Sequence, residues 1–302
     1  MSFSTRFLRA QIANLKPFME NSSIETIRKT HVMTGKLMAA PWRSQVSFFP
    51  QTFPSFTCAW ITPKHLLHEG IILYLHGGGY VAGNLDYAKG YGSTLAALNK
   101  IRVFCAAYRL APESPFPAAL EDALSAYRYL LGYGFPPHKI IFCGESAGGG
   151  LIYALSLKLK ELGLPQPGGL IALSPWTDLT SSSQFYELNK DVDPSMSKER
   201  LQYYAALYTI SGAALDDPLV SPLFGDLTGL PPSSLFVGGD EVMLGDTVRL
   251  HEKLVASGCI SHLTIAPEMW HVYPLYGLPE SKAAMAEIVK FVGEIQNGFN
   301  TP

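Results

Sequence analysis

Short, nearly continuous apolar runs alternate along the chain with longer amphipathic stretches. The runs at 71–75, 102–106, 139–143, 170–173, 234–237 and 262–265 read as strands, and they are too apolar for a sheet with one wet face. Between them, residues 87–98, 117–131, 147–162, 244–257 and 280–295 have helical periodicity. This alternation predicts an α/β fold, with a mostly parallel central sheet flanked by helices on both faces. Two earlier runs, 45–49 and 57–61, suit an antiparallel hairpin at one edge. Two segments fall outside the pattern: residues 1–40, which read as two helices, and 181–212, where a polar loop leads into a helix over 198–208.

Composition narrows the picture. The 302 residues allow one large domain or two ordinary ones, and with no repeat or low-complexity linker a single domain suffices. A chain with 47% hydrophobic and 16% charged residues has enough apolar surface to fold unaided. The net charge of −2 leaves no cationic excess for a phosphate backbone, so nucleic acid is not an expected partner. Cys58, Cys105, Cys143 and Cys259 are scattered and form no C-x-x-C pair, which suggests reduced thiols rather than disulfides or a zinc knuckle. Neither a signal-like stretch nor a run of roughly 18 apolar residues occurs, so a cytoplasmic protein without membrane insertion is expected.

The chemistry begins with Gly144-Glu145-Ser146-Ala147-Gly148, a G-x-S-x-G run between an expected strand and an expected helix. That context suits a nucleophile elbow, where a strained serine sits in a sharp turn at a helix N-terminus. Without the context, the serine would be a simple N-cap. His76-Gly77-Gly78-Gly79 follows the 71–75 strand and matches the HGGG loop that supplies oxyanion-hole N–H groups in esterases and lipases. Residues 77–82 also satisfy the dinucleotide fingerprint G-x-G-x-x-A. An NAD-dependent enzyme would need a ribose-binding acid about 20 residues on, near Ala106 to Arg109, and none is there.

An acyl-transfer serine needs a base and an orienting acid, in the chain order Ser, Asp or Glu, His. Of eight histidines only His271 lies beyond the last expected strand, on a loop able to return to the sheet's C-terminal edge. Asp240 closes the 234–237 strand and is the preferred acid; its neighbour Glu241 is expected to point elsewhere, and Asp246 falls in the next helix. Asp178, after the preceding strand, is the competitor. There is no H-E-x-x-H and no other ligand spacing, so neither metal nor cofactor is expected.

These elements, together with Tyr108-Arg109-Leu110-Ala111-Pro112-Glu113 and Asp217-Pro218-Leu219-Val220-Ser221-Pro222, resemble the hormone-sensitive-lipase family of microbial esterases over residues 71–276. The chain departs from the family at Glu145, where aspartate is commoner. The resemblance implies an α/β-hydrolase fold with a helical cap built from about 1–40 and 181–212. It implies Ser146 as nucleophile, His271 as base, Asp240 as acid, and the N–H groups of Gly78, Gly79 and Ala147 as oxyanion hole. It also makes Arg109 and Glu113 resemble a structural ion-pair element, and it permits a homodimer through the last-strand edge. The expected activity is hydrolysis of short- to medium-chain acyl esters, small-molecule substrates taken through an acyl-enzyme. The alternative is a non-catalytic small-molecule-binding protein on the same fold. Phe18, Met33, Trp42, Trp176, Phe185, Tyr203, Tyr204, Tyr208 and Trp270 are candidate walls of an apolar pocket.

Overall fold

In the computed structural model, which describes residues 1–298, eight strands form one sheet. They are β1 (Val46–Thr52), β2 (Thr57–Pro63), β3 (Ile71–Leu75), β4 (Arg102–Ala107), β5 (Ile140–Glu145), β6 (Gly169–Leu173), β7 (Ser233–Gly238) and β8 (Ser261–Ala266). The order across the sheet is β1-β2-β4-β3-β5-β6-β7-β8. β2 runs antiparallel to β1 and β4, and every other pair is parallel. The expected strands are all present, and the hairpin lies at the edge assigned to it.

Helices α3 (Leu85–Asn99), α4 (Ala118–Tyr133), α5 (Ala147–Glu161) and α8 (Leu244–Ala256) lie in crossovers between strands, and α9 (Pro279–Asn297) follows the last strand. They divide the interior into two apolar clusters, one containing Leu73, Phe142, Leu151 and Leu235, the other Tyr74, Ile141, Phe236 and Ile288. Every residue of β3, β5, β6 and β7 is therefore buried, which is why these strands show no alternation. β8 departs from the expectation of a doubly covered strand. It is the edge strand, and His262, Thr264 and Ile265 are exposed. At the other edge, β1 is mostly exposed and carries Pro50, a residue that an edge strand tolerates.

The two segments outside the alternation fold as α1 (Phe3–Glu20), α2 (Ile24–Ala39), α6 (Phe185–Leu188) and α7 (Lys198–Tyr208). Serines start three of them: the side chains of Ser2, Ser23 and Ser197 accept from the N–H groups of Thr5, Thr26 and Arg200. α2 packs closely on α3, where a Cβ on Gly35 would stand 2.3 Å from the carbonyl oxygen of Asp86. No helix among the described residues is long and apolar enough to cross a membrane.

Candidate active site

Parallel pairing across β5, β6, β7 and β8 brings their C-terminal ends to one edge, where the loops holding Ser146, Ser174, Glu241 and His271 emerge. Ser146 is the turn between β5 and α5, with φ 55° and ψ −124°, a strained conformation for a residue with a side chain. Three backbone bonds hold it there. Its N–H donates to Leu173 O at 2.9 Å, and its carbonyl accepts from Gly150 N at 3.0 Å and Trp176 N at 2.9 Å. The glycine after Ala147 is dictated by space, because a Cβ on Gly148 would lie 2.0 Å from Leu75 O.

The glycine loop lies beside this turn. Gly78 has φ 112°, and among the described residues the N–H groups of Gly78, Gly79 and Ala147 find no acceptor. The Gly77 N–H does not share this freedom: it donates to Glu145 Oε1 at 2.6 Å, while Tyr74 Oη donates to Glu145 Oε2 at 2.5 Å. Glu145 is fully buried, and burial pushes its carboxyl up to about 7 against the pull of these donors. His76 is equally buried and stacks on Tyr108 with ring centroids 4.3 Å apart. Its Nδ1 faces the Gly77 carbonyl at 2.7 Å and so carries the proton, and burial pushes the ring down to about 4. His76 therefore serves the loop's architecture as a neutral ring.

The structure corrects the sequence reading at the acid. His271 Nδ1 lies 2.9 Å from Oε2 of Glu241, not against Asp240. The loop after β7 turns so that Asp240 N donates to Met269 O at 3.0 Å, and the Asp240 side chain faces outward to Arg9 Nη2 at 2.7 Å. Glu241 uses its extra methylene to fold back beneath the strand end. There its Oε1 accepts from Gly238 N and Ser174 Oγ, both at 2.6 Å. The buried pocket thus takes the longer side chain and holds it with three donors, whereas Asp240 keeps partial exposure to solvent.

Asp178 is occupied elsewhere: it accepts from Ser182 Oγ at 2.5 Å, from Arg249 Nη1 at 2.9 Å, and from the Thr180 hydroxyl. Asp246, buried in α8 as expected, accepts from the N–H of Asp178 at 3.1 Å. Arg109 and Glu113 do not pair with one another. Arg109 binds Asp122 at 2.8 Å and Glu121 at 3.0 Å, while Glu113 receives both nitrogens of the Arg28 fork from α2. Among the candidate pocket walls, Phe18 and Met33 face solvent at 62% and 67% exposure, whereas Trp176, Tyr208 and Trp270 are buried. Tyr204 of α7 does meet the glycine loop, since a Cβ on Gly79 would stand 2.4 Å from its ring. A cleft of about 540 Å³ opens elsewhere, at the N-terminal end of β4 beside β1, β2 and the end of α4, among Phe49, Trp60, Tyr133 and Phe135, and includes none of these groups.

Comparison with known proteins assigns the class. A family model for the alpha/beta hydrolase fold matches residues 72–275. An esterase of Acinetobacter venetianus is 37% identical over 223 residues, 73% of this chain and 74% of its own length. An acetyl-hydrolase of Streptomyces hygroscopicus is 37% identical over 76% of this chain and 77% of its own. Among solved structures, an esterase from the bacterial hormone-sensitive lipase family superposes with TM-score 0.88 at 34% identity, covering 96% of this chain and 98% of that one. The esterase EstE5, from a crystal soaked with p-nitrophenyl butyrate, superposes with TM-score 0.85 at 33% identity over 95% and 99%. The fold and its elbow thus define an α/β-hydrolase. Within that class the chain belongs to the bacterial hormone-sensitive lipase family, and it is a carboxylesterase.

Proposed function

We propose that the carboxylesterase acts through Ser146, His271 and Glu241. The observation that carries this reading is the contact of His271 Nδ1 with a fully buried carboxylate, at the same sheet edge as a strained serine. A carboxylate that accepts from Nδ1–H leaves Nε2 unprotonated, the form a general base requires. Ser146 Oγ attacks the ester carbonyl while His271 Nε2 takes its proton, and Glu241 stabilises the imidazolium. The N–H groups of Gly78, Gly79 and Ala147 receive the negative charge that develops on the carbonyl oxygen. The imidazolium then protonates the leaving alcohol. Water, deprotonated by the same nitrogen, releases the acid from the acyl-enzyme.

The substrates of this reading are short- to medium-chain acyl esters. Helices α1, α2, α6 and α7 form a cap, and the ring of Tyr204 against Gly79 limits the room above the oxyanion loop. The butyrate ester used with EstE5 has the same scale. The four cysteines form no disulfide, which supports a reducing cytoplasmic setting. The outer edge of β8, terminal in the sheet, is the surface we infer for a homodimer. Ser146→Ala is expected to abolish hydrolysis of p-nitrophenyl butyrate and labelling by an organophosphate, with the fold retained. Substantial turnover by a pure, folded Ser146→Ala sample defeats the reading.

A further inference from the structure

We propose that Arg9 is a positioning residue that ties the loops bearing the acid and the base to helix α1, with Asp240 as its anchor. The proposal rests on the assignment of Glu241 and His271 made above. Arg9 Nη2 reaches Asp240 Oδ2 at 2.7 Å and Val192 O at 2.6 Å, and Nη1 reaches Glu268 O at 2.7 Å. Its guanidinium carbon also stands 5.9 Å from the centroid of the Trp270 ring. Asp240 precedes the acid, Glu241, and Trp270 precedes the base, His271. One side chain therefore spans the residues adjacent to both partners of the acid–base pair.

A second set of bonds grips the same acid loop. Asn189 Nδ2 donates to Gly239 O at 3.1 Å and Glu241 O at 2.8 Å, and Asp193 Oδ2 accepts from Val242 N at 2.9 Å. Segment 189–193 is itself held by α1, through Arg9 on Val192 O and Lys16 Nζ on Asp193 O at 2.7 Å. A surface ion pair alone contributes little. Here the guanidinium also satisfies carbonyls on two further segments, a task that suits its planar fork and that the single ammonium of lysine cannot fully reproduce. The consequence falls on catalysis, because a misplacement of about 1 Å in a reacting group costs about 10²-fold in rate.

The test compares wild type, Arg9→Met, Arg9→Lys and Asp240→Asn by steady-state kinetics on p-nitrophenyl butyrate, with circular dichroism as the check on folding. Arg9→Met is expected to lower kcat by about 10- to 100-fold with KM changed less than about twofold, and Arg9→Lys to recover part of the loss. Asp240→Asn is expected to move kcat in the same direction by less. It also reads the tie with α1 in place should Arg9→Met fail to fold. Unchanged kcat in a folded Arg9→Met or in Asp240→Asn, or a rise in KM alone, overturns the proposal. Failure of the underlying assignment looks different: Glu241→Gln would then retain activity.

Discussion

Replacing Glu241 by glutamine and Asp240 by asparagine tests the acid assignment, because the two isosteric changes sit on neighbouring residues of one loop. In the wild type, Glu241 Oε1 accepts from Gly238 N and Ser174 Oγ at 2.6 Å, and Oε2 faces His271 Nδ1 at 2.9 Å. A glutamine has a single acceptor oxygen. Two donors occupy the Oε1 side, so the amide oxygen goes there and the NH₂ turns to His271. Nδ1 must then accept, the ring proton moves to Nε2, and the base can no longer take the Ser146 proton. The equivalent change in serine proteases costs about 10⁴ in kcat, about 5 kcal/mol of barrier. Asp240→Asn removes only the charge opposite Arg9, which keeps both carbonyl acceptors, and Asp240 N still donates to Met269 O. Its loss should stay below about tenfold, the scale of a partly exposed ion pair. The assay is kcat on p-nitrophenyl butyrate at neutral pH with matched circular dichroism spectra. An Asp240→Asn loss equal to or larger than that of Glu241→Gln refutes the assignment of the acid.

The remaining predictions concern Glu145 and the chain length of the substrate. Burial raises the Glu145 carboxyl from 4.5 to about 7, so between those values the unfolded chain has released a proton that the folded protein still holds, and this contribution to stability falls as pH rises. Glu145→Gln removes the contribution, so its stability relative to wild type should increase by about 3 kcal/mol from pH 4.5 to 7 in urea melts; parallel pH dependences in the two proteins contradict it. The comparison must be made between the two proteins, since His76, depressed to about 4, contributes with the opposite sign over part of the same range. For substrates, kcat/KM should rise from acetyl to an optimum at about four to eight acyl carbons, each methylene adding about 0.8 kcal/mol while it finds apolar wall, and then fall. A soluble 12-carbon ester turned over faster than the butyryl ester contradicts the capped-pocket reading.

The fold was legible because strand runs such as 71–75 and 170–173 are apolar on both faces, a pattern that only a doubly covered sheet explains. Ser146 and its glycines were legible because an elbow imposes local steric demands, visible here as the close approach of Gly148 to Leu75 O. Direction within a loop was not. Asp240 and Glu241 are adjacent, and which one turns inward depends on the backbone bonds to Met269 O and Gly238 O and on the donors Gly238 N and Ser174 Oγ. Gly238 is local, but Met269 and Ser174 come from loops far away in the chain, beyond any local pattern. The same holds for Arg9, which reads as one more polar position in an N-terminal helix until the fold brings residues 192, 240 and 268 to it. The signal for Glu241 lies in the pair itself: a buried loop end can enclose one carboxylate and must leave the other near water.

That pairing also has an electrostatic logic. Two carboxylates on successive residues would both act on the imidazole, and the outward one, partly exposed, would do so through a medium that weakens it. Arg9 lies 2.7 Å from Asp240, so the outward charge is neutralised where it stands. Among the described residues no Lys or Arg pairs with Glu241, which takes two neutral donors on the oxygen turned away from His271. In the proposed mechanism its other oxygen stays directed at the ring that becomes cationic during acyl transfer. On the proposed reading the two acids of the loop divide the work: one fixes the loop to α1, and the other supplies the field that the imidazolium needs.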